Sequence, residues 1–237
     1  MSNTQRLKDK IALVTGASRG IGAAVAKRYA KEGAHVILTA RTIGGLEEVD
    51  DAIQAAGGTA SIVPLDVKEG AKIDELGSII AERYGKLDIF LGNAAMLGML
   101  SPVAQTDPKL WNDVMTVNVN ANHRFLRSLD PLLRSAEAAR VLFVTSGVTQ
   151  SVHPYWGVYA ASKAALEMMV RTYAAEVDNT NIKVNLIDPG VVATNMRKSA
   201  MPGEDQEALA KPNEITEIFV KLAEASLSEH GNRFNAE

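Results

Sequence analysis

Tyr159 and Lys163 stand four residues apart in the segment Tyr159-Ala-Ala-Ser-Lys163, and Ser146 lies thirteen residues before the tyrosine. On a helix, positions i and i+4 share a face, which brings an ammonium beside a phenol. A free phenol titrates at about 10, and a neighbouring cation stabilises its ionised form and lowers that value. The spacing therefore points to a tyrosine that donates or accepts a proton near neutral pH, with Ser146 holding a carbonyl oxygen by a hydrogen bond. A Tyr-x-x-x-Lys pair alone is common on helix surfaces. Its weight here comes from a second motif at the other end of the chain.

That motif is Ile11-Ala-Leu-Val-Thr-Gly-Ala-Ser-Arg-Gly-Ile-Gly22. The apolar run from Ile11 to Val14 reads as a buried parallel strand. Gly16, Gly20 and Gly22 follow in a Gly-x-x-x-Gly-x-Gly spacing, and a helical stretch begins at Ala23. Strand, glycine turn and helix start form the context in which backbone N–H groups and a positive helix terminus receive a pyrophosphate.

The elements that must carry these motifs alternate. Ile11–Thr15, His35–Thr39, Ala60–Leu65, Leu87–Leu91, Arg140–Thr145 and Lys183–Ile187 read as short apolar strands. Helical stretches fall near 20–32, 45–56, 69–84, 108–134 and 158–177, with a further helix at about 213–225 and a short last strand at 233–235. Such alternation predicts an α/β fold: a doubly wound parallel sheet with helices on both faces. No repeat, low-complexity tract or linker interrupts it, so residues 1–237 read as a single domain for both dinucleotide binding and catalysis.

Together the two motifs resemble the short-chain dehydrogenase/reductase family, over about residues 7 to 200. Thr15–Gly22 is similar to its cofactor loop. Asn118, Ser146, Tyr159 and Lys163 are similar to its catalytic tetrad in identity, order and spacing, with Asn120 and Asn122 as neighbouring candidates for the asparagine. Asn93-Ala94-Ala95 resembles its Asn-Ala-Gly element, with alanine in the glycine position. Asp66-Val67 resembles the pair near the adenine. Pro189-Gly190, Val192 and Thr194 resemble the segment at the nicotinamide. The resemblance implies a Rossmann fold and hydride transfer between a carbonyl and an alcohol. It also implies an Asn118-held water that links Lys163 to solvent, Lys163 on the nicotinamide ribose, and a homodimer or homotetramer. Within the family, the chain resembles a shorter bacterial branch likened to the oxoacyl reductases.

The second strand ends Leu38-Thr-Ala-Arg41, with no acid to bind ribose hydroxyls. An arginine fork suits the additional phosphate of NADP, and Arg19 reaches toward the same place from the glycine turn. With Gly16, Ser18, Gly20, Ile21 and Gly22 in the turn, NADP(H) is the preferred cofactor and NAD(H) the alternative. For Asp66 the resemblance implies an acceptor for the adenine amino group, while the residue's position reads as a helix N-cap. A competing function, a non-catalytic dinucleotide sensor or scaffold, leaves Ser146, Tyr159 and Lys163 without a purpose.

Met96, Leu97, Met99, Leu100, Val148, Tyr155, Trp156, Met196 and Met201 predict an apolar, adaptable substrate pocket for a small molecule. His153 reads as a polar loop residue. The chain has 237 residues, a net charge of −3 and no cysteine. Composition thus offers nothing for nucleic acid or an acidic membrane, and excludes disulfides and thiolate metal sites. The four histidines are scattered without ligand spacing, so no metal is expected. The polar stretch from Met1 to Lys10 lacks a signal-peptide core, and no apolar run approaches the ~20 residues of a membrane helix. These features predict a soluble cytoplasmic protein.

Overall fold

The computed structural model describes residues 5–236. Its centre is one sheet of seven parallel strands in the order β3-β2-β1-β4-β5-β6-β7. The strands are β1 Ile11–Thr15, β2 His35–Ala40, β3 Thr59–Pro64, β4 Ile89–Gly92, β5 Ala139–Val144, β6 Ile182–Asp188 and β7 Arg233–Asn235. All seven expected strands are present, with ends shifted by one or two residues. The helices are α1 Gly20–Lys31, α2 Ile43–Ala55, α3 Gly70–Tyr84, α4 Pro108–Met115, α5 Ala121–Arg134, α6 Gly157–Glu176, α7 Asn195–Ala200 and α8 Thr216–Ala223.

The apolar runs form strands because both faces of the sheet are covered. Successive side chains of β1 alternate: Ala12 and Val14 enter one core layer with Tyr29, Leu46, Val49, Ile53 and Phe219, and Leu13 enters the other with Ile73, Leu76, Phe125, Leu129 and Leu166. Strand order reverses at β1, which pairs with β2 on one side and β4 on the other. A crevice therefore opens beyond the carboxyl ends of β1 and β4, where open α/β sheets bind ligands.

Two helical expectations need correction. The stretch 108–134 is not one helix: α4 and α5 are joined by a π-helical turn at Thr116–Asn120. The buried Asn118 side chain, fixed to main chain outside the helix, holds that wider turn. The helix expected at 213–225 is shorter. It starts at Thr216, whose hydroxyl donates to the carbonyl of Asn213, and ends where Glu224 turns extended.

The end of α8 is tied to β5 by Arg140. Its buried guanidinium donates to the carbonyls of Glu224 (2.8 Å), Ala225 (2.5 Å), Leu227 (3.0 Å) and Ala139 (2.9 Å). This clamp fixes the approach of the chain to β7. Replacing Arg140 by Met orphans those carbonyls, and the expected cost is about 3 kcal/mol of unfolding free energy, measured by urea denaturation.

Candidate active site

The glycine turn lies at the crevice, and its glycines answer different constraints. Gly16 has φ 66° and Gly20 φ 57°, the left-handed region that glycine adopts freely. A Cβ on Gly22 would stand 2.3 Å from the Gly16 carbonyl oxygen, so close packing of α1 on β1 requires glycine there. At Gly20 an added Cβ meets only Thr194, at 3.5 Å, and the turn stays open toward the 189–201 segment. Arg19 precedes α1 in extended conformation without a side-chain cap, and the first turn of α1 holds no acid. The leading N–H groups of a three-turn helix thus face the crevice uncapped, the arrangement that receives a phosphate. Ser18 in the turn accepts a hydrogen bond from Thr42 (3.4 Å) at the start of α2, and Ile21 packs on the core. Arg19 and Arg41 are exposed, and neither forms an ion pair among the described residues. The residues present fit a phosphorylated dinucleotide: a turn that no side chain fills, an uncapped helix and two uncommitted guanidinium groups.

Asn93 staples β4 to β1. Its amide donates to the carbonyls of Thr15 (2.8 Å) and Gly16 (3.3 Å), while the backbone N–H groups of Asn93 and Ala94 donate to the Thr15 hydroxyl. Ala95 follows, half-buried, on the crevice wall. Asp66 accepts from the N–H of Lys68 (3.0 Å). It therefore closes a turn and does not cap α3, whose N-terminal flank is Glu69. Val67 packs partly buried against the second core layer.

The remaining groups come from three elements. Ser146 leaves β5 in extended conformation, and its Oγ accepts from the N–H of Val148 at 3.5 Å. Tyr159 and Lys163 lie in the first two turns of α6 and are both buried. Lys163 Nζ donates to the carbonyl of Val144 (2.8 Å), the last residue of β5, and sits 5.8 Å from the centroid of the Tyr159 ring. Asn122 is buried as well, but the asparagine that reaches the Met96 backbone and Ser162 is Asn118. Its Nδ2 donates to the Met96 carbonyl and to Ser162 Oγ, each at 2.9 Å, and its Oδ1 accepts from Met96 N–H at 2.8 Å. Ser162, which sequence reasoning missed, passes the contact on to the Tyr159 carbonyl (2.7 Å). The asparagine side chain thus fixes the base of α6 and the β4 loop. Asn122 donates to the Asn118 carbonyl (2.8 Å), and Asn120 is exposed.

Electrostatics correct one expectation. The Tyr159 phenol is pushed up to about 12, not lowered: burial dominates, with Asp188 adding to the rise and a hydrogen bond from Ser146 opposing both. Burial also lowers the Lys163 ammonium to about 8, against an attraction from Glu167. The 5.8 Å offset leaves the ammonium beside the ring, where its hold on the phenolate is weaker than close pairing would give.

The segment after β6 runs past the same crevice. Gly190 has φ 69° and donates its N–H to Asp188 (3.1 Å). After Pro189, the chain continues to Val192, which is buried and bridged to Ala210. Thr194 caps α7 by accepting from Arg197 N–H (3.2 Å). Leu97, Tyr159 and Ala200 form a small apolar cluster, packed with Leu100, Val148, Trp156 and Met196. Met99 and Tyr155 are exposed instead, and Met96 serves Asn118 through its backbone. Tyr155 has φ 75°, uncommon for tyrosine, and its carbonyl accepts from Ser101 N–H (3.0 Å), joining the two loops beside the pocket. His153 pairs with Ser151 (2.8 Å), as a loop residue would. Among the described residues no cluster of ligating side chains could hold a metal.

Because the folded pKa of Lys163 lies below the value of 10.5 in an open chain, the unfolded state binds more protons between pH 8 and 10.5. Stability contributed by this site therefore rises with pH across that window. Compared with Lys163→Met, the wild-type protein is expected to gain on the order of 2–3 kcal/mol from pH 8 to 10.5, read as the difference between their urea unfolding curves.

Comparison with known proteins agrees with this geometry. A family model described as short chain dehydrogenase matches residues 10–205. The oxidoreductase YciK of Escherichia coli (strain K12) is 38% identical, over 98% of this chain and 93% of its own length. The crystal structure of a short chain dehydrogenase from Salmonella enterica serovar Typhi superposes with a TM-score of 0.95 at 36% identity, covering 100% of this chain and 99% of that one. Another from Escherichia coli CFT073, complexed with NADPH, gives 0.94 at 38% identity, covering 98% and 99%. With its parallel sheet, glycine turn and buried tyrosine–lysine pair, the chain belongs to the short chain dehydrogenase family and is an oxidoreductase.

Proposed function

We propose that this protein is an NADP(H)-dependent oxidoreductase that interconverts a carbonyl and an alcohol, with Tyr159 as proton donor and acceptor. The observation that carries the reading is the convergence of Ser146, Tyr159 and Lys163 at one end of the sheet, beside an uncapped helix terminus. Exposed Arg19 and Arg41, with no acid at the end of β2, favour the phosphorylated dinucleotide. The relative complexed with NADPH supports the same preference.

In this reading the Gly16–Gly22 turn and the start of α1 hold the pyrophosphate, and Arg19 and Arg41 take the ribose phosphate. Asp66 and Val67 border the adenine, Asn93 to Ala95 line the crevice wall, and Pro189, Gly190, Val192 and Thr194 border the nicotinamide. When bound, that ring supplies or accepts hydride. Ser146 donates to the substrate oxygen and fixes its orientation. Tyr159 Oη holds the proton that this oxygen receives in reduction and takes it back in oxidation. Lys163 serves the ribose and biases the phenol toward ionisation through its positive charge. Asn118 keeps α6 and the β4 loop at fixed separation through Met96 and Ser162. The apolar wall of Leu97, Leu100, Trp156 and Met196 selects a substrate whose carbonyl carries an apolar substituent, and Trp156 packs edge-on to Tyr159 with ring centroids 6.1 Å apart. One domain supplies both cofactor and catalytic groups.

We place the protein in the cytoplasm as a homodimer or homotetramer. No helix of the described residues is long and apolar enough to cross a membrane. Small residues Ala160, Ala161, Ala164 and Ala165 with the exposed Met168 on α6 support helix pairing between copies.

A panel of ketones and aldehydes with NADPH tests the reaction. Tyr159→Phe is expected to lower kcat at least ~100-fold while leaving cofactor affinity unchanged. Undiminished turnover in this variant refutes the proton role. Arg41→Ala is expected to weaken NADPH binding about 10-fold or more, with little change for NADH, as measured by fluorescence titration. Equal losses for the two cofactors refute the phosphate assignment.

A further inference from the structure

Beneath the catalytic groups lies a set of charges that the proton chemistry does not use. Arg233 on β7 reaches Asp188 at the end of β6, Nη2 to Oδ2 at 2.7 Å, and Glu167 on α6, Nε to Oε1 at 3.4 Å. All three side chains are largely buried: 16% exposed for Arg233, 12% for Asp188 and 8% for Glu167. Glu167 lies one helical turn beyond Lys163, and its Oε1 accepts from Thr145 (2.6 Å) and Thr149 (2.8 Å), the hydroxyls that bracket Ser146. Asp188 lies below the same turn. A Cβ built on Gly147 would stand 3.5 Å from Asp188 Oδ2. The charge of Asp188 also acts on the Tyr159 phenol.

The charged and titratable groups around the phenol are few. Lys163 comes from its own helix, Asp188 from β6, and the neutral hydroxyl of Ser146 from the turn after β5. His153 is one ring further out, packed on Trp156 at 6.3 Å. Around Arg233 stand Asp188 and Glu167. Glu167 additionally meets Arg171, at 3.8 Å on its solvent side. Arg233 is therefore the cation in direct contact with the carboxylate that opposes phenolate formation.

We infer that Arg233 is a positioning residue for the active site: it neutralises Asp188 beneath the phenol and steadies Glu167 against the hydroxyls that hold the Ser146 turn. The inference deepens the carbonyl–alcohol reading and rests on it. A like charge in a poorly solvated site disfavours a second anion, so an unpaired Asp188 makes the phenolate harder to form. The turn carrying Ser146 also loosens when Glu167 loses its partner. Nothing in the sequence marks this role, because Arg233 lies 45 residues from Asp188 in the chain.

The test is Arg233→Met, with Arg233→Lys as the conservative variant and Asp188→Asn added to each background. Phenolate formation at Tyr159 is read in the free protein by ultraviolet difference absorbance, each variant being compared with its own Tyr159→Phe counterpart. In parallel, the pH profile of alcohol oxidation with NADP is recorded. In Arg233→Met, ionisation and the ascending limb of kcat/KM are both expected to move up by about one pH unit. Arg233→Lys keeps most of the wild-type behaviour, and Asp188→Asn in the Arg233→Met background restores it. An unmoved ionisation in Arg233→Met, or a shift that Asp188→Asn does not reverse, overturns the inference. If Arg233→Met fails to fold, Asp188→Asn alone decides: removal of the carboxylate with Arg233 retained lowers the phenol, and an unchanged phenol sinks the proposal. Absence of turnover on every carbonyl and alcohol counts against the reaction, while the absorbance of the free protein still judges Arg233.

Discussion

A buried ammonium is the constraint around which this end of the molecule is arranged. Lys163 lies 2% exposed at the boundary between α6 and the sheet. Taking a charge out of water costs several kcal/mol unless local dipoles and counter-charges replace the solvent. Here the main-chain carbonyl of Val144 supplies the dipole, and Glu167 one turn away supplies the attraction. Glu167 in turn needs its own partners, which it finds in Thr145, Thr149 and Arg233. Each requirement draws in the next element, and the chain of contacts reaches from β5 through α6 to β6 and β7.

The opposite wall of the crevice depends on neutral groups. Thr15 Oγ1 receives the N–H groups of Asn93 and Ala94, and the Asn93 amide bonds the carbonyls at the end of β1. These bonds settle polar backbone that the diverging chains would otherwise bury without partners. Asn118 does comparable work from the π-helical turn, saturating its amide on Met96 and Ser162. That side chain is committed to protein partners, and through them it sets the placement of α6 against the β4 loop.

Much of this was legible from residue order. The strands were visible because a sheet covered on both faces demands unbroken apolar runs such as Ile11–Val14, and the glycine turn because backbone crowding tolerates nothing larger. The break between α4 and α5 was not. Thr116-Val-Asn-Val-Asn120 contains no glycine or proline, and the wider turn follows from a tertiary bond at Asn118. The partnership of Tyr159 and Lys163 was readable from helical spacing, yet the direction of the phenol's shift was not, since it depends on how much water the fold removes. Ser162, Glu167 and Asp188 escaped notice for a related reason: a lone hydroxyl or carboxylate acquires meaning only from partners that topology delivers.

The staple between Asn93 and Thr15 joins residues 78 apart in sequence. Such a pairing gains nothing until a long loop has closed, and the entropy of that closure is incurred before the contact rewards it. Helices α1, α2 and α3 can form early on local interactions, but the seam between β1 and β4 has to await the arrival of distant chain. The cleft at this seam therefore rests on long-range closure, and local helix formation alone does not assemble it.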